Sequence, residues 1–160
     1  MKIVNTDTID IVALRREPLS RKLTQALVNL APSSLQIEIV GIRDLPLYNQ
    51  DDEGAAPAAW QTFRARTARA QAVLFATPEY NRSVPGVLKN AIDVGSRPYG
   101  KSVWASKPAG IISASPGAMG AFGANHHLRQ SLVFLDMPAM QQPEAYIGGV
   151  DKLSMPPVNW

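Results

Sequence analysis

AVLFATPEYNRSVPG, residues 72–86, opens with five apolar residues in a row and then breaks into Pro, Glu, Tyr, Asn, Arg and Ser. A strand with one wet face alternates apolar and polar residues, whereas a strand covered on both faces does not. AVLFA therefore reads as the central strand of a parallel sheet with helices on either side. The polar segment that follows marks the loop leaving the carboxyl end of that strand.

Outward from this stretch, strand-like and helix-like segments alternate in both directions. Residues 8–13 (TIDIVA) read as a short strand, and in LRREPLSRKLTQALVNL the residues Leu19, Leu23, Leu27 and Leu30 recur at helical spacing. Pro32 and the serines after it end that helix, and LQIEIVGI alternates as a second strand does. After the loop DLPLYNQDDEGAAP, Pro57 stands near the start of a helix reaching about Ala70. Its inner side carries Trp60, Phe63 and Thr67, and its wet side Arg64, Arg66 and Arg69. VPGVLKNAIDVGS gathers Val87, Leu88, Ala91, Ile92 and Gly95 on one helical side. PAGIISAS reads as a fourth strand, HHLRQSLVFLD as a helix and MQQPEAYIGG as holding a short fifth strand. The expected fold is α/β: a doubly wound five-stranded parallel sheet of order 2-1-3-4-5 in three layers, forming a single domain over residues 1–160.

Composition narrows the chemistry. Hydrophobic residues make up 46% of the chain, enough to bury a core. The net charge of +3 comes from 16 basic residues spread against 13 acidic ones, which suits small anions better than nucleic acid. Without cysteine there is no disulfide, thiolate metal site or Cys nucleophile, so redox chemistry would have to come from a cofactor. Asp7 and Asp10 interrupt the apolar N-terminal segment, and no window reaches the ~18 apolar residues of a membrane span. The expectation is a cytoplasmic protein with no membrane or nucleic-acid partner. No metal is expected either. His126 and His127 are adjacent and cannot share a helix face, and Asp51, Asp52 and Glu53 lack calcium-loop spacing.

In doubly wound sheets ligands bind beyond the carboxyl ends of the strands, where the strand order reverses. Three loops reach that edge. ALRREPLSR brings Arg15, Ser20 and Arg21, with Arg16 and Lys22, to a helix N-terminus. There the dipole is equivalent to roughly half a positive charge. An anion such as phosphate fits this loop, and so does a solvated basic helix start capped by Ser20. SASPGAMGAFG offers Ser115, Gly117 and Gly120, with Gly123 at its end; its glycines let the backbone pass close to a flat ring, and equally they make turns. TPEYNRSVPG is the most specialised of the three. Pro78, Glu79, Tyr80, Asn81 and Ser83 combine an aromatic face with hydrogen-bonding groups, and Pro78 and Pro85 stiffen them. The alternative for Tyr80 is a rim residue packed on the next helix.

PEYNRSVPGVLKNAID, followed by SRP, resembles the signature of the NADPH-dependent FMN reductase family, a flavodoxin-like group that includes bacterial chromate and quinone reductases. The similarity continues through KPAGIISASPGAMGA and HHLRQSLVFLDMPAMQQPEAYIGG, over about residues 35–149. It implies a flavodoxin-like fold, noncovalent FMN, NADPH or NADH as electron donor, a small-molecule electron acceptor, and homodimers or homotetramers. By position, the resemblance assigns Pro78, Glu79, Tyr80, Asn81 and Ser83 to the segment lining the flavin ring, and Ser115 and Gly117 to its other edge. It assigns Arg15, Ser20 and Arg21 to the phosphate loop. The chemistry would be carried by the flavin, with no catalytic side chain, and Arg82 would attract the phosphates of the nicotinamide donor or simply be a solvated loop residue.

Two departures from the family pattern stand out. Where family members read GSLRxxSxNR, this chain has Val12 for the glycine, Ala13 and Pro18 for the two serines, and Ser20 for the asparagine. Each lost hydrogen bond to the phosphate costs roughly 1.5–3 kcal/mol, so FMN is expected to bind weakly. The family also continues past the fifth strand into an amphipathic helix, whereas DKLSMPPVNW carries two prolines that exclude one. The last helix is thus expected to be absent, leaving one sheet face short of cover and favouring an oligomer. A noncatalytic flavodoxin-like module acting through protein contacts is the competing expectation.

Overall fold

The computed structural model describes the backbone of residues 7–13 and 18–153, and the side chains of residues 22–153. Five strands pair in parallel in the order β2-β1-β3-β4-β5. They are β1 (Asp7–Ala13), β2 (Leu35–Gly41), β3 (Ala72–Thr77), β4 (Ala109–Ala114) and β5 (Ala145–Ile147). The connecting helices are α1 (Pro18–Leu30), α2 (Ala58–Arg69), α3 (Gly86–Gly95) and α4 (Phe122–Phe134). This is the expected flavodoxin-like α/β architecture and strand order.

The unbroken apolar run in β3 has the reason expected of it. Val73 and Phe75 point into one core cluster, with Trp60 and Phe63 of α2, Leu88, Ala91 and Ile92 of α3, and Leu128 and Leu132 of α4. Leu74 and Ala76 point the other way, into a smaller cluster with Leu23, Leu27 and Val28 of α1. In β4, Ile111 and Ile112 divide between the same two clusters. Side chains alternate across a strand, so a strand buried on both faces must be apolar at every position.

The two faces are covered unequally. Among the described residues α1 is the helix on the second face, and beside it lies an apolar groove of about 610 Å³ lined by Leu27, Leu30, Ile37, Leu74, Gly110 and Met140. Leu30, expected on the inner stripe of α1, is 80% exposed at the mouth of this groove. The tail on which the missing-helix expectation rests lies, from residue 154 onward, outside the described residues.

Three further expectations change. Only Arg69 is a fully exposed arginine of α2. Arg64 lies over the Trp60 ring at 5.5 Å and donates from Nε to the Val94 carbonyl, and Arg66 pairs with Glu38 at 3.0 Å. Their long side chains lie along the protein while their charged ends find partners, a pattern that spacing alone does not reveal. The loop after β2 contains a short 3-10 turn, Gln50–Ala55, started by the Asn49 side chain accepting the Asp51 amide hydrogen. Finally, α4 begins at Phe122, four residues before the histidine pair that marked it in the sequence.

Candidate active site

Parallel register places the candidate loops together. Ala13 pairs with Ala76 and Thr77 with Ser113, so the chain leaves β1, β3 and β4 at one edge of the sheet. The β3 loop is a closed turn, with the Tyr80 amide donating to the Ser83 carbonyl at 2.9 Å and the Ser83 amide donating back at 3.0 Å. Its two central residues are left-handed, Asn81 at φ 51° and Arg82 at φ 65°. Such a conformation costs a non-glycine residue of order 1 kcal/mol and persists where its surroundings hold it.

The supports are specific. Glu79 Oε2 accepts the Ala124 amide hydrogen in the first turn of α4 at 3.0 Å, and Ser83 Oγ lies 2.7 Å from His127 Nδ1, one turn further along that helix. Thr77 Oγ1 donates to the Pro78 carbonyl at 2.8 Å, and Pro85 is buried where the chain enters α3. Ala121, ahead of α4, is itself left-handed at φ 60° and offers no side-chain cap, so Glu79 supplies one from the neighbouring loop. The Glu79 carboxylate is thereby engaged with the helix. Tyr80 is half-exposed, Asn81 and Arg82 are exposed, and among the described residues no protein acceptor takes the amide hydrogens of those two. The turn thus presents an aromatic ring and free backbone donors at the sheet edge.

The β4 loop is rigid where it meets the fold. A Cβ on Gly120 would sit 2.5 Å from the Tyr146 backbone, and one on Gly123 would sit 2.9 Å from Glu79 Oε2. Ser113 Oγ donates to the Gly120 carbonyl at 2.8 Å and accepts from Asn125 Nδ2 at 3.2 Å, both side chains being fully buried. Ser115 Oγ donates to the Gly117 carbonyl at 3.0 Å, and a Cβ on Gly117 would meet nothing closer than that same Oγ at 3.8 Å. Gly117 therefore lies on the open side of the loop.

Of the phosphate-loop residues, Arg15 lies outside the described residues. Ser20 and Arg21 fall within α1 close to its N-terminus at the same sheet edge, with their side chains outside the described set. The first turn of α1 carries no acidic residue. The histidines divide as their spacing requires: His126 Nε2 lies 3.0 Å from the Tyr146 hydroxyl while His127 turns to Ser83. Burial, with the nearby Glu144 carboxylate, raises the Tyr146 phenol above its usual pKa. Among the described residues no group of acidic and histidine side chains could hold a metal ion, and no helix is long and apolar enough to cross a membrane. Sequence reasoning missed the link from His127 to Ser83 and the buried Asn125–Ser113 pair. Both join residues far apart in the chain, and nothing local signals them.

With this geometry in place, comparison with known proteins is informative. The family model for NADPH-dependent FMN reductase matches residues 12–152. A quinone reductase from Pseudomonas putida is 61% identical over 154 residues, covering 96% of this chain and 83% of its own. A 2-hydroxy-1,4-benzoquinone reductase from a Burkholderia species is 48% identical over 135 residues, covering 84% and 74% of the two chains. The structure of a flavoenzyme NAD(P)H:(acceptor) oxidoreductase from Paracoccus denitrificans superposes with a TM-score of 0.83 at 42% identity, covering 88% of this chain and 79% of that one. A family-model match across nearly the whole described chain, joined to close relatives and to the flavodoxin-like strand order, shows that the chain belongs to the NADPH-dependent FMN reductase family.

Proposed function

We propose that this oxidoreductase holds FMN at the sheet edge formed by the loops after β1, β3 and β4 and reduces quinones with NADPH or NADH. When bound, FMN would supply the redox chemistry, a two-electron transfer from the nicotinamide to a quinone that with proton uptake yields the hydroquinone. The observation that carries this reading is the Tyr80–Ser83 turn, whose left-handed residues and free amide hydrogens are held rigidly on α4. Its donor set fits an isoalloxazine, a flat ring with carbonyl acceptors along one edge.

The chain's own residues then act by holding and orienting. Pro78, Glu79, Tyr80, Asn81 and Ser83 form the wall on the ring side, Glu79 through its backbone because its carboxylate caps α4. The Asn81 and Arg82 amides offer donors to charge that builds up on the ring, already oriented and needing no rearrangement. Ser115 and the open backbone at Gly117 line the other edge. Ser20 and Arg21 in the first turn of α1, with Arg15 shortly before it in the sequence, are the residues proposed to receive the phosphate, at a helix end whose unpaired amides favour an anion. Arg82, whose side chain is 86% exposed, attracts the anionic nicotinamide donor.

The same reading takes the protein to work in the cytoplasm as a homodimer or homotetramer, and the exposed Tyr99, Val133 and Phe134 support self-association. The high identity to named reductases argues against a noncatalytic scaffold. Titration with FMN is expected to quench flavin fluorescence, and the loaded protein to oxidise NADPH only with a benzoquinone present or, more slowly, with oxygen. Protein that leaves FMN fluorescence unchanged at excess would overturn the proposal.

A further inference from the structure

We infer that His127 is a positioning residue for the flavin, acting through Ser83 to hold the Tyr80–Ser83 turn in its left-handed form. The inference deepens the FMN reading above and rests on it. The turn has two consecutive non-glycine residues at positive φ, a conformation that local propensity disfavours. Its two hydrogen bonds close the loop on itself but do not fix the loop against the sheet edge. That attachment comes from α4 at both ends of the turn. Glu79 before it takes the Ala124 amide hydrogen, and Ser83 at its end pairs with His127. Residues 124 and 127 lie three apart and share a helix face, so one rigid face holds both ends of the segment.

The chemistry of the second anchor differs from that of the first. Glu79 can only accept, so its bond has one polarity. A neutral imidazole with its proton on Nε2 accepts the Ser83 hydroxyl hydrogen at Nδ1. The other neutral tautomer, with its proton on Nδ1, donates to Ser83 Oγ instead, so the pair forms with either polarity. His127 thus keeps the turn in place in either tautomer.

The test uses the full chain and reads FMN affinity by fluorescence quenching, beside the melting temperature of the protein without flavin. His127 is exposed, so its replacement leaves the core untouched. His127→Phe and Ser83→Ala are each expected to weaken FMN about two- to tenfold, and the double variant to weaken it no more than either alone. His127→Asn, whose amide reaches the Nδ1 position, is expected to restore affinity. Additive losses in the cycle, or wild-type affinity in His127→Phe, would overturn the inference while leaving the flavin site standing. A wild-type protein that binds no FMN would overturn both together.

Discussion

At the scale of single residues, the fold depends on positions whose identity looks unremarkable in the sequence. By spacing alone, Gly95 is one more position on the inner side of α3. In the structure a Cβ there would lie 2.5 Å from the indole of Trp104, a fully buried residue whose Nε1 donates to the Ile92 carbonyl at 2.9 Å. The ring cannot yield without breaking that bond and its contacts with Phe63 and Phe75. Gly95→Ala is therefore expected to destabilise the protein by about 1–3 kcal/mol in urea unfolding. Gly54→Ala, where no atom lies within 4 Å of the new methyl group, should leave the midpoint nearly unchanged. Glu79 teaches a similar lesson in the site. Its place in the motif was legible, but the engagement of its carboxylate with a helix 45 residues away was not.

At the scale of elements, the loops after β3 and β4 keep the family pattern while the loop after β1 departs from it. The β3 turn and the start of α4 form one unit through Glu79 and Ser83, so the ring side of the proposed site is held before any ligand arrives. In the proposed site the phosphate side depends on α1, which begins at Pro18 with no acidic residue in its first turn. Proline suits the first helical position but has no hydroxyl to give. Changing Val12→Gly, Ala13→Ser and Pro18→Ser together is expected to tighten FMN binding by about tenfold or more in equilibrium dialysis, since each charge-assisted hydrogen bond regained is worth roughly 1.5–3 kcal/mol. Unchanged affinity would show that this loop draws its donors from elsewhere.

At the scale of the whole molecule, three helices cover one sheet face and α1 is the described cover of the other. Both core clusters share β3 and β4, so neither can melt without exposing the other. Unfolding is therefore expected as one transition, with Trp60 and Trp104 fluorescence and far-ultraviolet circular dichroism superimposing; separate midpoints would contradict a single domain. What the sequence determined by itself was the layered α/β fold and its strand order, because hydrophobic period and turn residues are local signals that survive without coordinates. The loops proposed to carry ligand chemistry are legible for the same reason, as polar breaks after buried strands. What only the tertiary structure decided was which side chains are free to act: Glu79 capping α4, Arg64 and Arg66 engaged with α3 and β2, and His127 bonded to Ser83. Those pairings join residues 28 to 45 positions apart. They are set by how helices seat on the sheet, a relation between elements that no local pattern in the chain encodes.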